Sequence, residues 1–227
     1  PAEHAIPLHN ENAYAAVWPL KIWFFCVTGA FDGGQTPIAD SRQVYERLAP
    51  GLRRRFEEKG VMYVRNYGIV DLPWETVFQT TDRAAVEAFC RARRIDFEWR
   101  GPRGLRTREV CPAVAVHPRT RARVWFNQAH LFHVAALPPA VRDALLAVVA
   151  PEDLPRNACF GDGTPIEDGV IDEIQGVYDD CSVVFPWQQG DVLMLDNMLA
   201  AHGRRPYRGD RKVVVGMAEA WSDHGLA

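Results

Sequence analysis

The chain has 227 residues, 48% of them hydrophobic and 24% charged, with a net charge of −3. That is ordinary globular composition with enough apolar material for a sizeable core, no basic footprint for nucleic acid, and no run of about 18 apolar residues to span a membrane. The five cysteines, Cys26, Cys90, Cys111, Cys159 and Cys181, are odd in number and form no Cys-x-x-Cys pair, which argues against a disulfide framework or a cysteine zinc site and for a reducing, cytoplasmic compartment.

Residues 21–30 (KIWFFCVTGA) are short, apolar and aromatic, as a buried strand is. A turn at Gly33-Gly34 leads into another short strand over 36–39. Asp40 or Ser41 then caps a helix to about residue 48, with Gln43 in capping-box position. Pro50 and Gly60 bracket a second helix, and 61–67 reads as a strand. Helices follow over 74–80 and 82–94, the second capped by Asp82. Residues 95–126 read as short strands separated by Gly101-Pro102 and His117-Pro118. Pro138-Pro139 opens a helix to about 150, and 170–180 forms another. Strands return over 182–185, 191–195 and 211–219. The basic clusters at 53–59 and 91–108 read as solvated faces. Strands at both ends with helices between them predict an α+β chain around a sheet sandwich or open barrel. The expected organisation is one domain over 1–227, with 68–181 a largely helical and short-strand insertion.

A lone His-x-Glu pair is what chance gives a chain with 7 His and 29 acidic residues, so His9-Asn10-Glu11 means little by itself. Its weight comes from the rest of the pattern. On a strand, residues two apart share a face, so His9 and Glu11 can reach one ion together. His202 closes a strand-like run, DVLMLDNMLAAH. Two histidines and a carboxylate can hold one face of Fe(II) and leave the other open, which is the facial triad of non-heme iron oxygenases. Nine residues on, Arg211 opens the apolar stretch KVVVGM, where a guanidinium can pair bidentately with a carboxylate. Thr36, after the Gly-Gly turn, can offer a hydroxyl to the same carboxylate. A second metal pair is conceivable at His130 and His133, but the His-Glu-x-x-His helix of a zinc hydrolase is missing. His4, His117 and His224 read as surface loop residues.

These residues and their surroundings resemble the TauD/TfdA-type family of Fe(II)/2-oxoglutarate dioxygenases. The similarity is greatest to the clavaminate synthase-like branch associated with nonribosomal peptide biosynthesis, which includes the syringomycin aspartyl hydroxylase. The segments that carry it are IPLHNENAY (6–14), GGQTPIADSR (33–42), GVMYVRNYG (60–68), VWFNQAHLFH (124–133) and VVFPWQQGDVLMLDNMLAAHGRRPYRGDRKVVVGMAE (183–219). The resemblance extends over essentially the whole chain. The resemblance implies a double-stranded β-helix, or distorted jelly roll, with inserted and flanking helices. It implies Fe(II) on His9, Glu11 and His202, with 2-oxoglutarate and O2 as co-substrates. Arg211 would pair with the distal carboxylate of 2-oxoglutarate, and Thr36 would hydrogen-bond to it. Family members carry a further segment before the first histidine, so an N-terminal portion is expected to be missing here.

Two departures from the taurine-type pattern are present: the metal carboxylate is Glu11 where those enzymes have Asp, as in the clavaminate-like branch, and a second arginine is replaced. Taurine-type enzymes have a sulfonate-binding arginine four residues beyond the 2-oxoglutarate arginine, where this chain has Val215. An uncompensated sulfonate would be poorly held in a closed site. Related halogenases lose the metal carboxylate to make room for chloride, whereas Glu11 is present, so the resemblance implies hydroxylation. Desaturation, or a metal-binding sandwich without catalysis, are the alternatives. The branch implies an amino acid or carrier-protein-tethered aminoacyl substrate, hydroxylated at its β-carbon, with succinate and CO2 released. Asn12, Asn127 and Gln128 are candidates for substrate contact, although buried amides commonly serve nearby backbone. Arg106 and Arg108 are candidates for a substrate carboxylate or a phosphopantetheine phosphate.

Overall fold

The computed structural model describes residues 1–68 and 71–222; His224 lies outside the described residues. In chain order, β1 (Ile6–His9) and β2 (Trp18–Thr28) flank a turn-rich stretch, followed by β3 (Asp32–Gly33) and β4 (Ile38–Asp40). Helix α1 (Ser41–Arg47) is capped by Asp40, whose carboxylate accepts from the Arg42 N–H at 2.9 Å. Helix α2 (Pro50–Lys59) starts on proline and ends at Gly60, where φ is +67°. A Cβ on Gly60 would lie 2.7 Å from the Cys111 carbonyl oxygen, so that stop admits only glycine without a shift of backbone. Strand β5 (Val61–Tyr67), helix α3 (Trp74–Phe78) and helix α4 (Arg83–Ala92) fall where the local chemistry predicts them. Next come β6 (Asp96–Arg100), β7 (Gly104–Cys111), β8 (Val114–Val116), β9 (Arg123–Trp125) and α5 (Ala129–Phe132). Helix α6 (Pro139–Leu146) is shorter than expected, and β10 (Arg156–Phe160) was not anticipated. The chain finishes with α7 (Asp168–Asp180), β11 (Ser182–Val183), β12 (Val192–Asp196), β13 (Ala200–Arg204), β14 (Tyr207–Arg208) and β15 (Lys212–Trp221).

The run ending at His202 is therefore two strands rather than one. Asp196 accepts from the Met198 N–H through its side chain and from the Leu199 N–H through its carbonyl, at 3.2 and 3.1 Å. This Asx-type turn sends β12 and β13 into different sheets, and His202 sits within β13 instead of closing a longer strand.

The chain divides into two compact units, each discontinuous in sequence. The first comprises residues 1–54, 113–128 and 173–227. Its sheets are antiparallel, one ordered β1-β13-β4-β11 and another β12-β2-β15, with smaller pairings β14-β3 and β8-β9. Strand β2 supplies the pattern that holds it together: Ile22, Phe24 and Cys26 are buried on one face. Ile22 and Phe24 pack with Leu195 and with partly buried Trp187, Leu193 and Val213. A second cluster joins Trp18, Leu20, Val124, Phe126 and Met198. Each such side chain contributes roughly 1.5–3 kcal/mol by leaving water.

The second unit comprises residues 55–112 and 129–172, with an antiparallel sheet ordered β10-β5-β7-β6. Tyr67, Trp74, Val86, Cys90 and Leu105 form its core cluster. Helices and antiparallel strands together give the α+β class expected from the sequence. The five cysteines are free thiols.

Candidate metal centre

Strand pairing brings the two histidines together. In the β1–β13 ladder His9 lies opposite His202, and their ring centroids are 4.6 Å apart. Glu11 reaches the same place by a different route from the one its spacing suggests. The strand ends at His9, and Glu11 sits in the turn that follows, where Asn12 takes a left-handed φ of +56°. The shared-face argument for His9 and Glu11 thus does not describe the backbone, yet the carboxylate still arrives. Glu11 Oε2 is 3.9 Å from His9 Nε2 and 3.8 Å from His202 Nε2. The three ligand atoms lie within 4.8 Å of one another, and among the described residues this is the one grouping of three or more His, Cys, Asp or Glu with that property.

The donor chemistry fits a divalent transition metal. His9 Nδ1 lies 2.8 Å from the Pro7 carbonyl, and a carbonyl only accepts, so Nδ1 carries the hydrogen and Nε2 keeps its lone pair for the site. Burial, and then the neighbouring His202, hold the His9 pKa below its ordinary value. His202 first, with further help from His9, holds the Glu11 carboxyl below its ordinary range against the effect of burial. A neutral His9 imidazole and an ionised carboxylate are the protonation states that ligation requires.

The loop that carries Glu11 is clamped by buried amides. Asn197 Oδ1 accepts the Glu11 N–H at 2.7 Å, while its Nδ2 donates to the Glu11 carbonyl at 2.9 Å and the Pro19 carbonyl at 2.8 Å. Asn10 Nδ2 donates to Ser41 Oγ and to the Asn197 carbonyl, and Gln128 Nε2 donates to the Asn10 carbonyl at 2.7 Å. Asn127 Nδ2 donates to the Ala113 carbonyl at 2.9 Å. Gln128 and Asn127 are thus buried side chains that serve backbone, whereas Asn12 is partly exposed in the metal turn. Sequence reasoning passed over Asn10 and Asn197. The signal available was an amide set inside the apolar run of residues 191–202.

Thr36 and Arg211 lie on segments tied to β13 and to each other's neighbourhood through Gly34. Ile38 pairs with His202 in the β4–β13 ladder, and the Arg205 N–H reaches the Gln35 carbonyl, so the 34–38 segment runs beside the histidine. Thr36 on this segment is buried. Arg211 Nε donates to the Gly34 carbonyl at 2.9 Å, and its guanidinium carbon stands 5.5 Å from the centroid of the Tyr207 ring. Gly34 has φ +71°, and a Cβ there would come within 2.9 Å of Arg211 Cδ. Burial, and next the charge of Arg204, lower the Arg211 pKa. Among the described residues no carboxylate pairs with it.

The remaining candidates lie elsewhere. His4 is exposed, as expected. His117 is buried rather than on the surface: its Nε2 is 3.2 Å from Asp196 Oδ2 and its Nδ1 accepts the Thr120 N–H at 3.0 Å. The tight turn over 117–121 folds the ring inward. His133 Nδ1 accepts the Ala135 N–H and caps a short helix, and among the described residues His130 and His133 belong to no grouping of three or more ligand-type side chains. Arg106 is buried in the second unit, bonded to Asn66 Oδ1, the Glu152 carbonyl and Asp153, and Arg108 faces Glu98 at 3.5 Å. Arg106 braces its own unit and has no vacant donor fork for a phosphate.

Antiparallel sheets that present two imidazoles, one carboxylate and an adjacent unpaired guanidinium define the class of facial-triad iron oxygenases. Residues 1–218 match the family described as taurine catabolism dioxygenase TauD, TfdA family, and the chain belongs to that family. Its members are 2-oxoglutarate-dependent non-heme iron dioxygenases with a jelly-roll fold. The chain is 43% identical over 220 residues to the dapdiamide synthesis protein DdaC of Enterobacter agglomerans, covering 96% of this chain and 67% of that protein. It is 31% identical over 234 residues to a clavaminate synthase-like protein of Arabidopsis thaliana, covering 96% and 66%. It therefore spans about two thirds of the length of these relatives. A solved asparagine oxygenase, in complex with Fe(II), (2S,3S)-3-hydroxyasparagine and succinate, has the same fold at 16% identity, with a TM-score of 0.52 over 95% of this chain and 50% of that one.

Proposed function

We propose that this chain carries the catalytic site of an Fe(II)/2-oxoglutarate-dependent oxygenase. It hydroxylates an unactivated C–H bond, at the β-carbon, of an amino acid or a carrier-tethered aminoacyl group in natural-product biosynthesis, and releases succinate and CO2. The observation that carries this reading is the convergence of His9, Glu11 and His202 ligand atoms within 4.8 Å beside the unpaired Arg211. Iron bound there supplies the oxidising chemistry with O2. The residues of the chain bind and orient. Pro7 fixes the His9 tautomer, Asn197 fixes Glu11, and Arg211 with Thr36 take the distal carboxylate of 2-oxoglutarate. Phe24 lies edge-on to the His202 ring at 5.0 Å and shields it from water.

The substrate class rests on two supports. The relative at 43% identity is named for dapdiamide synthesis, and the structural neighbour holds a β-hydroxylated amino acid. A negative selection is added by Val215, which pairs with Phe24: that position offers a sulfonate an apolar side chain and no charge. Asn12, at the mouth of the metal turn, is the polar residue assigned to substrate. The five free thiols support a reducing, cytoplasmic compartment; among the described residues no helix is long and apolar enough to cross a membrane.

The test is anaerobic addition of Fe(II) and then 2-oxoglutarate, followed in the visible range. A weak charge-transfer band is expected from a chelated 2-oxo acid. His202→Ala abolishes it, and Arg211→Ala raises the 2-oxoglutarate needed by about 10- to 100-fold, the loss of a bidentate charged pair. Absence of the band at saturating metal and co-substrate overturns the assignment.

A further inference from the structure

Trp187 lies in the segment between β11 and β12 and packs against Ile22, Phe24 and Leu195. Its indole Nε1 is 2.9 Å from Thr36 Oγ1. An indole N–H can only donate, so the direction of this bond is fixed: Trp187 gives, and the threonine oxygen receives. One lone pair of that oxygen is thereby occupied, and the hydroxyl hydrogen is left to be given onward. A hydroxyl that accepts one hydrogen bond becomes a better donor in the next. The group awaited beside Arg211 is a carboxylate, which only accepts when ionised.

We propose that Trp187 is a positioning residue for the co-substrate. It sets the Thr36 hydroxyl as a donor toward the distal carboxylate and so sharpens selection of a dicarboxylate 2-oxo acid over a monocarboxylate one. The inference rests on the reading that Thr36 and Arg211 hold that carboxylate. Trp187 acts through Thr36. Its ring also belongs to the cluster that seats Phe24 against His202, so the informative change removes the N–H and keeps the bulk.

The experiment is calorimetric titration of the Mn(II)-loaded protein with 2-oxoglutarate and, separately, with pyruvate, which has the chelating end but no distal carboxylate. Trp187→Phe is expected to weaken 2-oxoglutarate about fivefold and to leave pyruvate unchanged. Thr36→Val is expected to weaken 2-oxoglutarate about tenfold, in the range for a hydrogen bond to a charged group. Adding Trp187→Phe to Thr36→Val should then change nothing further, the mark of one residue acting through the other. Unchanged 2-oxoglutarate affinity in Trp187→Phe, equal losses for both ligands, or additive losses in the double variant would each overturn the proposal. Wild-type protein that binds the two ligands equally would overturn the distal-carboxylate reading, and the proposal with it. Should Trp187→Phe not fold, the wild-type indole resonances decide. The one displaced by Thr36→Val should move on saturation with 2-oxoglutarate and stay still with pyruvate, and its failure to move with 2-oxoglutarate refutes the role.

Discussion

Asn197 holds the backbone of Glu11 from both sides, accepting its N–H and donating to its carbonyl, which replaces the strand partner that the turn has lost. Asn197→Ala would take their Asn197 partner from the Glu11 N–H, the Glu11 carbonyl and the Pro19 carbonyl, at about 1–3 kcal/mol for each buried group left unsatisfied. Metal affinity is expected to fall about 10- to 100-fold, as it does when partners of metal ligands are removed. A Mn(II) titration of the variant that matches wild type would show that Glu11 is held by something else. Gly34 separates the two halves of the site in the opposite sense. A Cβ there meets the Arg211 side chain, and φ is positive. Gly34→Ala should therefore weaken 2-oxoglutarate binding by at least tenfold, the measure of roughly 1–2 kcal/mol of left-handed strain plus displacement of the guanidinium. Mn(II) binding to the same variant should stay within about twofold of wild type, and parallel losses of metal and 2-oxoglutarate would contradict this separation.

Elements whose limits are set by local chemistry were legible in the sequence. Pro50 and Gly60 bracket α2, and Asp40 and Asp82 cap their helices, because each acts on backbone a few residues away. The Asp82 carboxylate accepts the Ala84 N–H at 2.9 Å, so Asp82→Ala should cost about 1 kcal/mol, read as a lower urea midpoint at unchanged slope. An unchanged midpoint would mean that water serves that N–H equally well. Elements fixed by distant partners were less legible. Strand β10 opens on Arg156 and Asn157 and is a strand because β5 pairs with it along five residues. The break after Asp196 was hidden by apolar residues on both sides. His9, Glu11 and His202, which the structure brings together, were nonetheless readable, since their chemistry survives an error in local geometry. Glu11 is a ligand candidate on a strand or in a turn. What the pattern did not hold was the amide scaffold and the Trp187–Thr36 bond, whose partners are 151 positions apart and follow no period.

Across the whole molecule, resistance to acid depends on carboxylates held ionised in both units. For Asp40, Asp71 and Asp196 burial alone would raise the pKa, and hydrogen bonds and nearby charge outweigh it: Arg42 at Asp40, the Leu72 N–H and Arg65 at Asp71, Lys21 and the His117 ring at Asp196. In each the folded-state pKa lies below the unfolded value of about 3.9, so the unfolded chain binds more protons as pH falls. The stabilisation is complete above that value and is lost as pH drops through the lower folded-state pKa. Asp196 shows it best, because its carboxylate joins Lys21 on β2 at 2.9 Å to His117 in the β8–β9 turn. Asp196→Asn should lower stability at pH 7 by about 1.5–3 kcal/mol. Urea midpoints of wild type and variant should converge as pH falls below 4, since protonation removes from the wild type what the substitution removes from the variant. A gap that keeps its size down to pH 2 would mean that Asp196 contributes through shape alone, and that the acid limb belongs to other carboxylates.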